Sequence, residues 1–110
     1  MITLPNYIAV YIPSTSKGNK PAPQNLIDSA IETVATAFAK RFGGFTITDG
    51  QGGWFSNEHG LITEDVKIVK AFYADDTDAE AFAVRFAVHI KELFEQEAVS
   101  VEHNGKLLLV

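Results

Sequence analysis

The chain has 110 residues, of which 46% are hydrophobic, a formal net charge of -5 and no cysteine. That length fits one compact domain, and the apolar content supplies a core and excludes a disordered chain. The missing cysteines exclude disulfides and thiol chemistry, and the acidic balance without basic clusters argues against a nucleic-acid partner.

The N-terminal residues give no sign of an export or membrane signal. Residues 1 to 6 have neither a basic region nor a long apolar region, and the longest purely apolar runs in the chain are only a few residues. We therefore expect a cytoplasmic protein that binds no membrane.

The first half of the chain predicts a strand, a helix and a second strand. Alternation over Tyr7 to Ile12 predicts a strand with two largely apolar faces, and the polar segment 13 to 23 predicts a surface loop. From Pro23 to Phe42 apolar residues recur at intervals of three and four, which predicts an amphipathic helix. Phe45 to Thr48 then predicts a second strand.

The second half predicts a strand, a helix and two short strands. Leu61 to Tyr73 alternates as a long strand, and Ala79 to about Gln96 has the apolar spacing of a second helix. Short strands are expected at Ala98 to Glu102 and Lys106 to Val110. The Asn104-Gly105 pair between them is a strong hairpin signal.

This order of elements predicts a single domain, residues 1–110, with a ferredoxin-like α+β sandwich. One antiparallel sheet would carry two helices on one face and an extra C-terminal strand at its edge. The other face would then display apolar side chains, which favours a homodimer in which two copies pack by two-fold symmetry. The predicted interface residues are Tyr7, Tyr11, Val69 and Tyr73.

A glycine-rich stretch from Gly43 to Phe55 holds five of the eight glycines and the single tryptophan. It predicts a strand that bends or bulges at its glycines, with a hairpin across residues 49 to 61. The hairpin would bring Gln51, Trp54 and Glu64 to one end of the sheet as a ligand-binding pocket. The alternative is that Trp54 anchors the core or an interface and the glycines only permit a twisted hairpin.

The same stretch carries a resemblance. Gly43 to Trp54 fits the pattern GGxTxxxGxGxW, an acidic residue follows in the next strand, and residues 96 to 102 read QEAVSVE. In these segments the chain resembles small uncharacterised bacterial, plasmid and phage proteins, and its layout is similar to the ferredoxin-like DUF3574 group. The resemblance implies that fold and an origin on mobile elements. It implies no activity and no catalytic residue.

No catalytic, cofactor or metal motif is visible in the chain. The three histidines, His59, His89 and His103, lack the spacing of a metal site, so we expect no metal and no cofactor. The sequence thus predicts a non-enzymatic binding protein, a dimeric mobile-element accessory or anti-defence factor whose partner is a small ligand or a protein. The alternative is a dimeric α+β-barrel enzyme, monooxygenase-like or isomerase-like, with Glu64 as base.

Overall fold

A computed structural model describes residues 1–110. Five strands form one antiparallel sheet in the order β2-β3-β1-β4-β5, and both helices pack on one face of it. The elements are β1 (Asn6–Pro13), α1 (Gln24–Phe42), β2 (Thr46–Ser56), β3 (Gly60–Tyr73), α2 (Ala79–Leu93), β4 (Ser100–His103) and β5 (Lys106–Leu109). This arrangement confirms the predicted ferredoxin-like α+β sandwich with an additional C-terminal strand. Neither helix is long and apolar enough to cross a membrane.

One apolar core lies between the sheet and the helices. The central strand β1 contributes Ile8, Val10 and Ile12, which alternate along the strand and therefore point to the same side. Phe38 of α1 and Phe94, just after α2, are completely buried against this side of the sheet. Removal of these side chains from water is the main force that holds both helices on the sheet.

The helix ends follow local backbone rules. α1 begins after Pro23 and ends at Gly43, whose left-handed φ of 93° is a conformation that glycine adopts without strain. α2 ends at Leu93, short of the predicted end at about Gln96, because Glu95 has a φ of 51° that a continuing helix does not allow.

The predicted bend in the glycine-rich stretch is wrong. β2 runs from Thr46 to Ser56 with every residue paired to β3, and none of the three glycines inside β2 has a positive φ. These glycines serve close packing instead. A Cβ on Gly53 would lie 2.9 Å from the carbonyl oxygen of Ile62, and a Cβ on Gly50 would lie 3.1 Å from a side-chain carbon of β3.

The face of β3 that meets the helices was also predicted wrongly. The register places Ile8 opposite Ala71 and Val10 opposite Val69, so Val69 and Tyr73 lie on the helix side, exposed by only 0% and 7%. They belong to the core and not to the uncovered face. We call the face opposite the helices the open face. Its side chains near the centre of the sheet are Tyr7, Ala9, Tyr11, Ile68, Lys70, Phe72 and Glu102.

Gly53→Ala and Gly52→Ala form a matched pair that tests the packing role of the glycines. We expect Gly53→Ala to destabilise the protein by about 1–3 kcal/mol, because the new methyl group meets backbone. Gly52→Ala should leave stability unchanged or raise it by up to about 1 kcal/mol, since a Cβ there meets nothing within 4 Å and alanine loses less conformational freedom than glycine in a strand. Urea unfolding followed by Trp54 fluorescence measures both, and equal effects would contradict the packing role.

Candidate functional site

The most organised polar group in the structure is a carboxylate held by two phenols on the open face. The hydroxyl of Tyr7 donates to Oε2 of Glu102 at 2.6 Å, and the hydroxyl of Tyr11 donates to Oε1 at 2.7 Å. Tyr7 and Tyr11 are four residues apart on β1 and therefore project from the same face. Ala9, midway between them, pairs with Glu102 of β4, so the carboxylate reaches both hydroxyls.

These hydrogen bonds determine the charge of the cluster formed by Tyr7, Tyr11 and Glu102. Donation from Tyr7 and then from Tyr11 stabilises the ionised carboxylate and lowers the pKa of Glu102. The same hydrogen bond raises the pKa of Tyr7, whereas burial, followed by the bond to Glu102, raises the pKa of Tyr11 to about 12. At neutral pH the cluster is therefore one fixed negative charge between two neutral phenols.

A lysine lies on the other side of this cluster. Lys70 of β3 pairs with Ala9 from the side opposite Glu102, and its ammonium lies 4.7 Å from the ring centre of Tyr7 and 5.9 Å from that of Phe72. The Tyr7 and Phe72 rings are themselves neighbours, with centroids 5.9 Å apart. Lys70 takes part in none of the salt bridges of the chain.

Ala9 lies between the strands of the two charges and beneath the surrounding side chains. It is completely buried although it faces away from the helices, because larger side chains of the open face surround it. Neighbouring strands lie about 4.8 Å apart, so the backbones of Lys70 and Glu102 are separated by roughly 10 Å. A positive and a negative side chain thus flank a small residue on an aromatic surface, an arrangement suited to a small ligand that carries both charges.

Part of the predicted ligand-binding group does come together. Trp54 pairs with Ile62 and Gly52 pairs with Glu64, so Trp54 and Glu64 are diagonal neighbours on one face of the β2–β3 hairpin. Gln51 pairs with Asp65 and lies on the opposite face. The structure therefore does not place Gln51 beside the other two.

The surroundings of Glu64 are those of a structural contact. Its carboxylate accepts a hydrogen bond from the hydroxyl of Thr15, and Gln96 donates to the carbonyl oxygen of Thr15 at 2.7 Å. These bonds tie the hairpin to the loop after β1 and to the end of the second helix. Trp54 is half exposed farther along the hairpin.

Another chain of hydrogen bonds lies on the helix side of the sheet. The hydroxyl of Tyr73 is 2.6 Å from Nε2 of His103, whose Nδ1 is 3.2 Å from a carboxylate oxygen of Glu80. Desolvation raises the pKa of the buried Tyr73. His103 follows Glu102 directly and therefore points to the other face, so this chain joins β4 to α2 and does not enter the cluster on the open face.

Concave shape alone does not mark the site. Two shallow depressions of about 320 and 530 Å³ lie on the helix side, one between α1 and β2 and the other between the two helices. Neither is lined by the cluster on the open face or by the predicted pocket residues. These two depressions and the Glu102 cluster lie on opposite sides of the sheet.

Sequence reasoning named Tyr7 and Tyr11 for an interface but missed Lys70 and Glu102. Lys70 lies between Val69 and Ala71 in the long strand β3, and Glu102 follows Val101 in the short strand β4. The signal that would have identified Lys70 and Glu102 is a charged residue on an inner strand of the sheet. In both cases it shares a face with the tyrosines of the neighbouring strand.

Comparisons with known proteins agree with the fold. No family model and no curated protein matches the chain. A solved structure of a phage SAM lyase in complex with S-methyl-5'-thioadenosine is similar, with a TM-score of 0.65 and 15% identity, over 100% of this chain and 92% of the other. A phage SAM lyase in the apo state is also similar, with a TM-score of 0.58 and 15% identity, over 100% of this chain and 94% of the other.

This likeness overturns one expectation. The sequence predicted a non-enzymatic binding protein, but the solved structures that share the fold over the full chain are those of an enzyme. The chain has no recognisable catalytic motif, and the charged groups of the open face come together only through strand pairing. Both of these similar structures are of phage proteins.

We call the two hydrogen bonds from Tyr7 and Tyr11 to Glu102 the clamp, and titration of the tyrosines tests it. Because the pKa of each of the three tyrosines is raised, the folded protein should carry less phenolate at pH 10 than the unfolded chain, whose tyrosines are about half ionised there. A raised phenol pKa stabilises the fold below the unfolded value, and this stability is lost as the pH rises from 10 towards 12. Phenolate absorbance against pH measures this.

Glu102→Gln supplies the matched control for the titration. It removes the charged acceptor and should lower the pKa of Tyr7, while the pKa of Tyr73, which is raised mainly by burial, should stay unchanged. Identical titration curves for the parent and Glu102→Gln would show that the clamp does not form.

Proposed function

We propose that this protein is a lyase that cleaves S-adenosylmethionine (SAM) to S-methyl-5'-thioadenosine on its open face. The observation that carries the proposal is the Glu102 carboxylate, kept ionised by Tyr7 and Tyr11 in a fold that resembles phage SAM lyases. SAM carries a sulfonium cation. A fixed carboxylate among aromatic rings attracts such a cation both by its charge and through the faces of the rings.

The aromatic rings of Tyr7 and Phe72 form the second part of the proposed binding site. Tyr7 and Phe72 lie side by side, and Phe72 leaves 47% of its surface exposed. Stacking of a purine on such a ring is worth about 1–3 kcal/mol per base. The Lys70 ammonium already lies over the ring of Tyr7, so we assign the purine to the ring of Phe72, which is exposed.

The reaction breaks the bond between the sulfonium sulfur and the four-carbon amino-acid chain. The electron pair of that bond moves to sulfur, which becomes the neutral thioether of S-methyl-5'-thioadenosine. The remaining positive charge leaves with the four-carbon fragment or as a proton released from it. Because the pKa of Glu102 is lowered, its carboxylate is a weak base, and we assign it to binding the cation rather than to removing a proton.

The direct test is incubation of the purified protein with SAM and quantification of S-methyl-5'-thioadenosine by liquid chromatography. We expect the thioether and a four-carbon product to form in equal amounts. Glu102→Gln should raise KM by about 10- to 100-fold, because a hydrogen-bonded charge is replaced by a neutral amide of the same shape.

Glu97→Gln is the control, since Glu97 is exposed and lies just before β4. It removes the same charge at a distance from the clamp and should leave KM unchanged. Absence of the thioether above the spontaneous rate would refute the proposed reaction. Equal effects of the two variants would mean that Glu102 does not bind the substrate.

We also propose that a second copy of the chain covers the open face, which would enclose the site as a homodimer. Leu107 and Leu109 of β5 lie on this face and are exposed by 56% and 72%, so association would remove them from water. A cytoplasmic location and an origin on a mobile element remain parts of the same proposal.

Light scattering tests the association. Tyr11→Asp places a second carboxylate beside Glu102 and should reduce the mass to that of the monomer. Ile47→Asp is the control, because Ile47 is exposed on the opposite face of the sheet and its replacement should leave the mass unchanged. A monomeric parent at micromolar concentration would rule out this interface.

A further inference from the structure

We infer that Lys70 binds the carboxylate of the substrate's amino-acid end and makes the site specific for ligands that carry both charges. This inference rests on the proposed function, which concerns the sulfonium and the cleaved bond and assigns no partner to the carboxylate. It names a residue that determines specificity at the same site.

The sheet register is the first support. Lys70 and Glu102 both pair with Ala9, one from each side, and all three belong to the open face. The two charged residues thus lie in one row across the sheet. Ala9 of β1 is the only residue between them in that row. A ligand lying along this row meets a negative group at one end and a positive group at the other.

The order of the charges in the ligand matches the order of the charges in this row. In SAM three carbon atoms separate the sulfonium sulfur from the carboxylate, and the carbon next to the carboxylate also carries an ammonium. The sulfonium and the carboxylate are thus held close together with opposite signs. With the sulfonium at Glu102, an extended amino-acid chain that lies over the side chains covering Ala9 directs the carboxylate towards Lys70. The reverse placement would put the cation beside the Lys70 ammonium and the carboxylate beside Glu102, which is repulsive at both ends.

The free state of the Lys70 ammonium is the second support. Both oxygens of Glu102 are already used by tyrosine hydroxyls, and Lys70 forms no salt bridge in the chain. Lys67, three residues earlier on the opposite face of β3, instead pairs with Asp49. Lys70 therefore keeps an ammonium with three donors, packed against two aromatic rings and available to an anion.

The test compares two probes that differ at the amino-acid end. Sinefungin is a SAM analogue in which an amine-bearing carbon replaces the sulfonium, so it keeps the cation and the carboxylate but has no sulfonium bond to cleave. S-methyl-5'-thioadenosine lacks the whole amino-acid end. Calorimetry on the full chain gives a Kd for each probe with the parent and with Lys70→Met, which keeps a long apolar stem.

We expect Lys70→Met to weaken sinefungin binding by about 10- to 100-fold, the loss of one charged hydrogen bond, and to change S-methyl-5'-thioadenosine binding by less than about twofold. Lys70→Arg should restore most of the sinefungin affinity, because it returns the cation. Lys67→Met should behave like the parent, and circular dichroism confirms that each variant is folded.

The outcomes separate this inference from the proposed function. If the parent binds both probes but Lys70→Met weakens neither, or weakens both equally, Lys70 does not recognise the carboxylate while the proposed function stands. If the parent binds neither probe, the proposed function fails and this inference fails with it. Failure of Lys70→Arg to restore affinity would also overturn it, because the charge would then not be the cause.

Discussion

The central strand β1 is the constraint on which both the fold and the site depend. It pairs with β3 on one side and β4 on the other, so its register decides which residues of those strands become neighbours. Ile8, Val10 and Ile12 enter the core from one face, while Tyr7 and Tyr11 emerge on the other. The packing that secures the helices therefore also fixes the position of the two phenols that hold Glu102.

The clamp around Glu102 compensates for the partial burial of its carboxylate on the open face. A carboxylate in the middle of a sheet loses part of its hydration, and two phenol donors at 2.6 and 2.7 Å replace it. Because the tyrosines take this role, the nearby ammonium of Lys70 is not used as a counter-ion within hydrogen-bonding distance. The surface keeps two opposite charges that are separate and fixed, which is a condition for recognising a ligand with two charges.

The long β2–β3 hairpin shows a different use of glycine from the one predicted. Glycines at 50 and 53 let β2 lie close to β3, and the chain turns only after Ser56. Composition could not distinguish these cases, since glycine permits both a positive φ and a close backbone approach. The pairing does bring Trp54 near Glu64, as the hairpin predicted, but it sends Gln51 to the opposite face because side chains alternate along a strand.

The sequence by itself determined the elements and their order. Apolar spacing identified both helices, alternation identified the strands, and the order of elements indicated a ferredoxin-like sandwich with an extra strand, because these signals arise from neighbours along the chain. Tertiary structure alone decided which face of β3 joins the core, and hence that Val69 and Tyr73 are buried. It also decided that Lys70 and Glu102 flank Ala9. Register between distant strands depends on packing across the whole sheet, which no local pattern contains.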